Sequence, residues 1–144
     1  MGACRKANRL DPVAAAYLAG LIDGEGTITL TRIHRGENRR LVVSISNNER
    51  SILDFVRDVV GVGGITTKRV YNERHHQSFT FQVSSRQALD LLAQIAPFLK
   101  SYKAMRAALA LSEYVRSTPR NCKYRPEIAR RRREFEARLL AIRP

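Results

Sequence analysis

Two carboxylates, Asp23 and Glu25, stand among the glycines Gly20, Gly24 and Gly26 at the end of an apolar stretch that begins at Pro12. Carboxylate oxygens are hard donors. They suit a divalent ion such as Mg²⁺, which takes few ligands from protein and fills its shell with phosphate and water. The other charges lean the opposite way: 26 Lys and Arg against 13 Asp and Glu leave a formal net charge of +13. Most of the cations are Arg, whose flat guanidinium grips phosphate or guanine edges at two points, so nucleic acid suits this chain better than a membrane surface. An Arg-biased thermophilic or GC-rich source is the alternative, although such a bias normally raises Glu as well.

The elements that must position these carboxylates follow from capping and periodicity. Asp11-Pro12 reads as an N-cap followed by proline at the first helical position, and the helix runs through Val13 to Asp23, ending at Gly24-Glu25-Gly26. Being nearly all apolar, it should be buried on more than one side. From Thr27 the period becomes two, and the strand continues towards His34-Arg35. A second strand follows Asn38, with Leu41, Val43 and Ile45 inward and Arg40, Val42, Ser44 and Ser46 outward. Asn47-Asn48 caps a helix from Glu49 to Val60 with Ile52, Phe55, Val56 and Val59 as its buried stripe. The pattern repeats with strands at 65–71 and 77–83, a turn at 72–76 and a helix over 86–96. Beyond the break at Pro97 come a helix over 101–116, a polar loop and a last helix after Pro126. The fold class is therefore α+β, in the order αββαββα, with a four-stranded antiparallel sheet, helices on one face and further C-terminal helices. A single domain over 1–144 is expected, its core at about 10–105 and a helical extension at about 106–144.

Leu18-Ala19-Gly20-Leu21-Ile22-Asp23-Gly24-Glu25-Gly26 closely resembles the signature of the LAGLIDADG homing endonucleases, in the single-motif form of the chloroplast-intron members. Seven of nine letters agree; the departures are Gly24 for Ala and Glu25 for the second Asp, both used within the family. A plain Ala/Leu/Gly core helix ending in acids is the alternative, and it leaves the two hairpins unexplained. The resemblance implies a saddle-shaped sheet and a site-specific, metal-dependent double-strand DNA endonuclease that leaves short 3′ overhangs. It implies Glu25 as the catalytic metal ligand, with the Gly24 carbonyl as a further ligand to Mg²⁺ or Mn²⁺. It also implies a water-orienting polar residue at Asn47, which could equally cap the next helix. Lys100, in Pro97-Phe98-Leu99-Lys100, matches the lysine over the scissile phosphates; a plain phosphate contact or solvated surface is the alternative. Ala16, Gly20 and Gly24 recur every four residues and form a flat strip. With one motif in the chain and two needed, that strip with Asp23 is the expected homodimer interface; packing inside one subunit is the alternative. Asp23 reads as structural rather than as a ligand.

The outward strand face should then meet DNA through Thr29, Thr31, Arg35, Arg40, Ser44, Thr66, Lys68, Ser78, Thr80 and Gln82. A nine-residue strand spans roughly 30 Å, or about nine base pairs, so two subunits cover around twenty, quasi-palindromically. His34, Arg35, Arg39, Arg74, His75 and His76 extend the hairpins towards phosphates. The His75-His76 pair is a poor metal site, since neighbours point apart. Arg130 to Arg133 reads as a backbone clamp on all faces of its helix. Two other proteins fit the same resemblance: an intron maturase with intron RNA as partner, and a DNA-binding regulator that has lost cleavage. Glu25 and Lys100 together favour cleavage. No apolar run reaches bilayer length and no signal-type core follows the N-terminus. An intracellular location is expected, in cytoplasm, nucleoid or an organelle. Cys4 and Cys122 have no ligand-like spacing and are given no role.

Overall fold

The computed structural model describes residues 5–67, 77–121 and 123–144. Helix α1 (Pro12–Glu25) opens as its sequence dictates: Asp11 Oδ1 accepts the Ala14 N–H at 2.8 Å, and Pro12 has no N–H to leave unsatisfied. It runs past Asp23 to Glu25 and stops at Gly26, whose N–H returns to the Ile22 carbonyl. Glycine is required at this stop because a Cβ on Gly26 would lie 2.6 Å from Ile22 Cα.

There follow β1 (Gly26–Thr31), β2 (Arg40–Asn47), α2 (Arg50–Val60), β3 (Gly64–Thr67), β4 (Phe79–Ser84) and α3 (Ser85–Ile95). The order is αββαββα. A 3₁₀ turn at Ala96–Phe98 leads to α4 (Lys103–Glu113), and α5 (Pro126–Ala141) completes the chain. The sheet is antiparallel in the order β1-β2-β4-β3, so the two hairpins join through their second strands. Thr31 faces Arg40, and Ser44 lies between Thr27 and Gln82.

Ile28, Leu30, Leu41, Val43, Ile45, Phe81 and Val83 share one core with Leu18 and Ile22 of α1, Leu53 and Val56 of α2, and Leu91 and Leu92 of α3. Each strand thus turns alternate residues towards the helices. Ala107, Ala110, Phe135 and Leu139 belong to the same cluster, which ties α4 and α5 to it. Among the described residues, no helix is long and apolar enough to cross a membrane.

Several local expectations are corrected. β1 ends at Thr31 rather than near His34-Arg35, because the chain turns there: Gly36 takes φ +88° and the Glu37 N–H reaches the His34 carbonyl at 3.3 Å. In α2 the buried stripe is Leu53, Val56 and Val60, leaving Phe55 44% exposed. Positions 52/53, 55/56 and 59/60 offer two apolar stripes at helical spacing, and periodicity cannot choose between them; packing selects the one that continues into buried Val62. The helix after the Pro97 break is shorter than the expected 101–116. The Arg130–Arg133 run is not a uniformly solvated clamp. Arg132 is 1% exposed, its guanidinium lying 4.7 Å from the Tyr114 ring centroid, and Arg131 pairs with Glu113 at 3.1 Å. The remainder of the expected 65–71 strand, the 72–76 turn, and Lys68, Arg74, His75 and His76 lie outside the described residues.

Candidate functional site

The end of α1 draws three of the expected residues together. Glu25 is exposed on the last turn of the helix, and one residue later Gly26 starts β1 opposite Ile45. That pairing carries the end of β2 alongside, where the Asn47 amide donates to Glu25 Oε2. Asn47 Oδ1 accepts the Glu49 N–H at 2.8 Å. Asn47 is not the cap of α2, which is Glu49 and has no side-chain cap bond; one end of the Asn47 amide fixes a Glu25 oxygen and the other turns the chain just ahead of the helix.

Lys100 is tied to the same end of α1 through its backbone. Asp23 Oδ2 accepts the Lys100 N–H at 2.8 Å, and Asp23 Oδ1 accepts the Ser101 N–H at 3.1 Å and the Ser101 hydroxyl at 2.6 Å. Burial alone would raise the Asp23 pKa, but the Ser101 hydroxyl, the Lys100 and Ser101 N–H groups and nearby Lys103 together hold it below the ordinary range. Lys103 closes the junction from the other side, its ammonium donating to the Ile22 carbonyl at 2.8 Å and the Asp23 carbonyl at 3.0 Å. These carbonyls end α1, where a cation is favoured. Burial lowers the Lys103 pKa, opposed by Asp23 and assisted by Arg106. Asp23 thus binds the α3–α4 break within its own chain, two residues before Glu25.

The remaining face of α1 is bare. Ala15, Leu18, Ala19 and Ile22 are buried, whereas Ala16, Gly20 and Gly24 are exposed, and a Cβ on either glycine would meet nothing within 4 Å. Among the described residues, α1 is therefore not buried on more than one side. The strip is flanked by Val13, 81% exposed, and by Tyr17 stacked edge-on with Phe55 at 5.5 Å between centroids.

The sheet face opposite the core carries the expected hydrogen-bonding groups. Thr29, Thr31, Arg40, Ser44, Thr66, Thr80 and Gln82 occupy its strands, with Ser78 just before β4 and Arg35 exposed in the β1–β2 turn. Ser46 and Thr80 share a hydrogen bond of 2.8 Å across β2 and β4. Val42 stands on this face too, buried between Thr29 and Ser84 and absent from the core cluster. Arg40 buries its Nε, and no acceptor for it lies among the described residues.

Sequence reasoning missed Lys103, Arg106, Arg132 and Glu136, all of them buried. For the last pair a signal existed: Arg132 and Glu136 are four apart and flank Phe135, the spacing of a shared helix face.

Comparison with known proteins agrees with this arrangement. The model of the LAGLIDADG-like domain family matches residues 12–96. Among solved structures, the homing endonuclease I-CvuI in complex with the I-CreI target superposes with a TM-score of 0.72 at 18% identity, over 91% of this chain and 82% of that one. The archaeal intron-encoded homing endonuclease I-Vdi141I, complexed with DNA, gives 0.67 at 16% over 90% and 84%. The LAGLIDADG meganuclease I-AabMI, bound to uncleaved DNA, gives 0.64 at 17%, over 85% of this chain but only 43% of its own. The family match runs from the first residue of α1 to the one after α3 and takes in every strand of the sheet, so the chain belongs to the LAGLIDADG family.

Proposed function

We infer that the chain is a metal-dependent, site-specific endonuclease that cuts a long, quasi-palindromic DNA duplex as a homodimer. The observation that carries this reading is the grouping at the foot of α1. An exposed Glu25 carboxylate is held by Asn47, with the Lys100 backbone tethered to Asp23 two residues earlier, at the end of a helix face that none of the described residues covers.

The donors fit a hard cation. Among the described residues no three His, Cys, Asp or Glu side chains converge, and Asp23 is taken up by Lys100 and Ser101, which leaves Glu25, with the Gly24 carbonyl adjacent, as the carboxylate at this helix end. Mg²⁺ or Mn²⁺ accepts such a sparse oxygen set when phosphate, water and a second Glu25 complete it. I-CvuI complexes in the presence of Mg and of Ca support this choice. When bound, the cation makes water easier to deprotonate and neutralises charge on the phosphate. Glu25 holds it, and Asn47 fixes the carboxylate and orients water. Lys100 supplies positive charge where the phosphorane forms. Water oxygen bonds to phosphorus, the P–O3′ bond breaks, and the proton ends on the 3′-oxygen.

Dimerisation is supported by the bare strip of Ala16, Gly20 and Gly24, where two helix backbones can meet closely, and by the single signature in the chain. A two-fold axis there brings both Glu25 residues together. The chain spans less than half of I-AabMI, which leaves room there for a second such unit. DNA binding is supported by the net charge of +13 and the polar sheet face. The longest described strand, β2, has 8 residues, so it follows roughly 26 Å of groove, or about eight base pairs.

The test is selection of cleaved products from a randomised duplex library with Mg²⁺ and, separately, Ca²⁺. A recovered site near twenty base pairs with approximate two-fold symmetry is expected with Mg²⁺. Selection of an RNA instead, or of duplexes bound but never cut by the wild type with Mg²⁺, overturns the reading.

A further inference from the structure

The free edge of the sheet is where the C-terminal helices do their work. β1 is an edge strand, and a row of backbone groups along its outer side would ordinarily be left to water. Both α4 and α5 pack against it, and the contacts are made by buried charged side chains. Arg106 of α4 donates through Nη1 to the Ile28 carbonyl at 2.9 Å and through Nε to the Ile142 carbonyl at 2.9 Å, joining mid-β1 to the end of α5. Further out, Glu136 Oε1 accepts the Arg39 N–H at 2.6 Å while Arg132 Nη2 donates to the Arg39 carbonyl. One residue thus has its N–H and its C=O taken by an Arg–Glu pair four apart on α5, which does for it what a neighbouring strand would. Arg39 is the last residue of the β1–β2 turn, directly before the Arg40–Thr31 pair. Arg132 is itself held beneath Tyr114 and by Thr118.

The geometry points to Arg132 and Glu136 as positioning residues for DNA recognition: α5 acts as a brace that sets the pitch of the β1–β2 hairpin, and so where Arg35, Thr31 and Arg40 enter the groove. This rests on the proposed reading of the sheet face as the DNA-contacting surface. The brace itself is a property of the free protein. A two-stranded tip that projects beyond its sheet neighbours is otherwise free to swing. A shift of about 1 Å there is enough to lose a bidentate base contact.

The experiment compares the full-length wild type with the double variant Arg132→Met/Glu136→Met. Exchanging a buried ion pair for apolar side chains of similar length is commonly neutral for overall stability, whereas removing one partner is not. Amide exchange by NMR is the first readout. Exchange at Arg39 and its turn neighbours should quicken roughly ten- to hundred-fold while α1, β2 and β4 core amides stay within about three-fold. Unchanged protection at Arg39, or a uniform rise across the whole molecule, overturns the brace. The second readout is selection from the randomised duplex library. Base preference should weaken at the outer positions of each half-site and persist at the inner ones. Faster exchange at Arg39 with outer preferences intact overturns the link to recognition. If the wild type itself selects no site, the nuclease reading has failed, and the exchange measurement alone decides the brace. Should the double variant unfold, Arg132→Gln/Glu136→Gln, which removes both charges together and weakens both bonds to Arg39 while keeping polar side chains, is read in the same two ways.

Discussion

Replacing Asp23 by Asn tests whether the α1–α4 junction holds the catalytic groups in register. The carboxylate accepts three hydrogen bonds, of 2.8, 3.1 and 2.6 Å. Asn keeps one acceptor but turns an NH₂ towards a backbone N–H, so at least one bond is lost and two donors face each other. A hydrogen bond to a charged group contributes roughly 1.5–3 kcal/mol, less where water reaches it. Asp23 is only partly buried, and a loss of about 2 kcal/mol follows. For a domain of this size that is roughly a 6–8 °C fall in Tm. Ser101→Ala removes the hydroxyl alone and should lose about half as much. The pH dependence supplies a second signature. Because the folded pKa of Asp23 lies below its ordinary value, its stabilisation is complete above about pH 4 and is lost as pH falls through the folded value. Thermal unfolding followed by circular dichroism from pH 7 downward should show the gap between wild type and variant narrowing in acid. Equal Tm values at pH 7, or a gap of constant size into acid, would mean that the Asp23 carboxylate does not stabilise the α1–α4 junction. Cleavage should suffer more than DNA binding, since the change frees Lys100 and leaves the sheet face intact.

Three further outcomes follow from the same geometry. Gly20→Leu adds a side chain whose Cβ meets nothing within 4 Å among the described residues, so circular dichroism should show an intact fold, while sedimentation should show monomer and cleavage should vanish. Gly26→Ala forces a Cβ to 2.6 Å from backbone, and denaturant unfolding should show a loss of about 3 kcal/mol. Asn47→Ala removes both the turn into α2 and the restraint on Glu25. Chemical denaturation should register about 1 kcal/mol, and single-turnover kinetics a ten-fold or larger fall in cleavage at near-constant affinity.

Much of this architecture is legible in the sequence because local signals agree with tertiary need. The Asp11-Pro12 start, the alternation in Thr27–Thr31 and the break at Pro97 each arise from capping, pleat geometry or a missing N–H, none of which needs a distant partner. The small-residue strip on α1 was legible as well, being a matter of spacing alone. What could not be read depends on partners far along the chain. Asp23 reads as structural from its place at the helix end, but its partners Lys100 and Ser101 could not be named. Phe55 and Leu53 compete for the core at equivalent helical spacing, and the sheet decides. Arg132 sits in a run that looks solvated by composition, and only the fold shows that the neighbouring aromatics and the unpartnered backbone of Arg39 draw it inside. Buried cations of this kind follow from backbone groups left without a neighbouring strand, which a sequence does not display.

The most direct test of the central claim is a side-by-side assay of wild type and Glu25→Gln on a duplex recovered by selection, with Mg²⁺ for turnover and Ca²⁺ for binding. The wild type should cut both strands with Mg²⁺. Glu25→Gln should bind the same duplex within a few-fold in Ca²⁺ and cut it at least a thousand-fold more slowly in Mg²⁺, a barrier increase of about 4 kcal/mol. Undiminished cutting by Glu25→Gln, or cutting by the wild type in excess chelator, contradicts the claim.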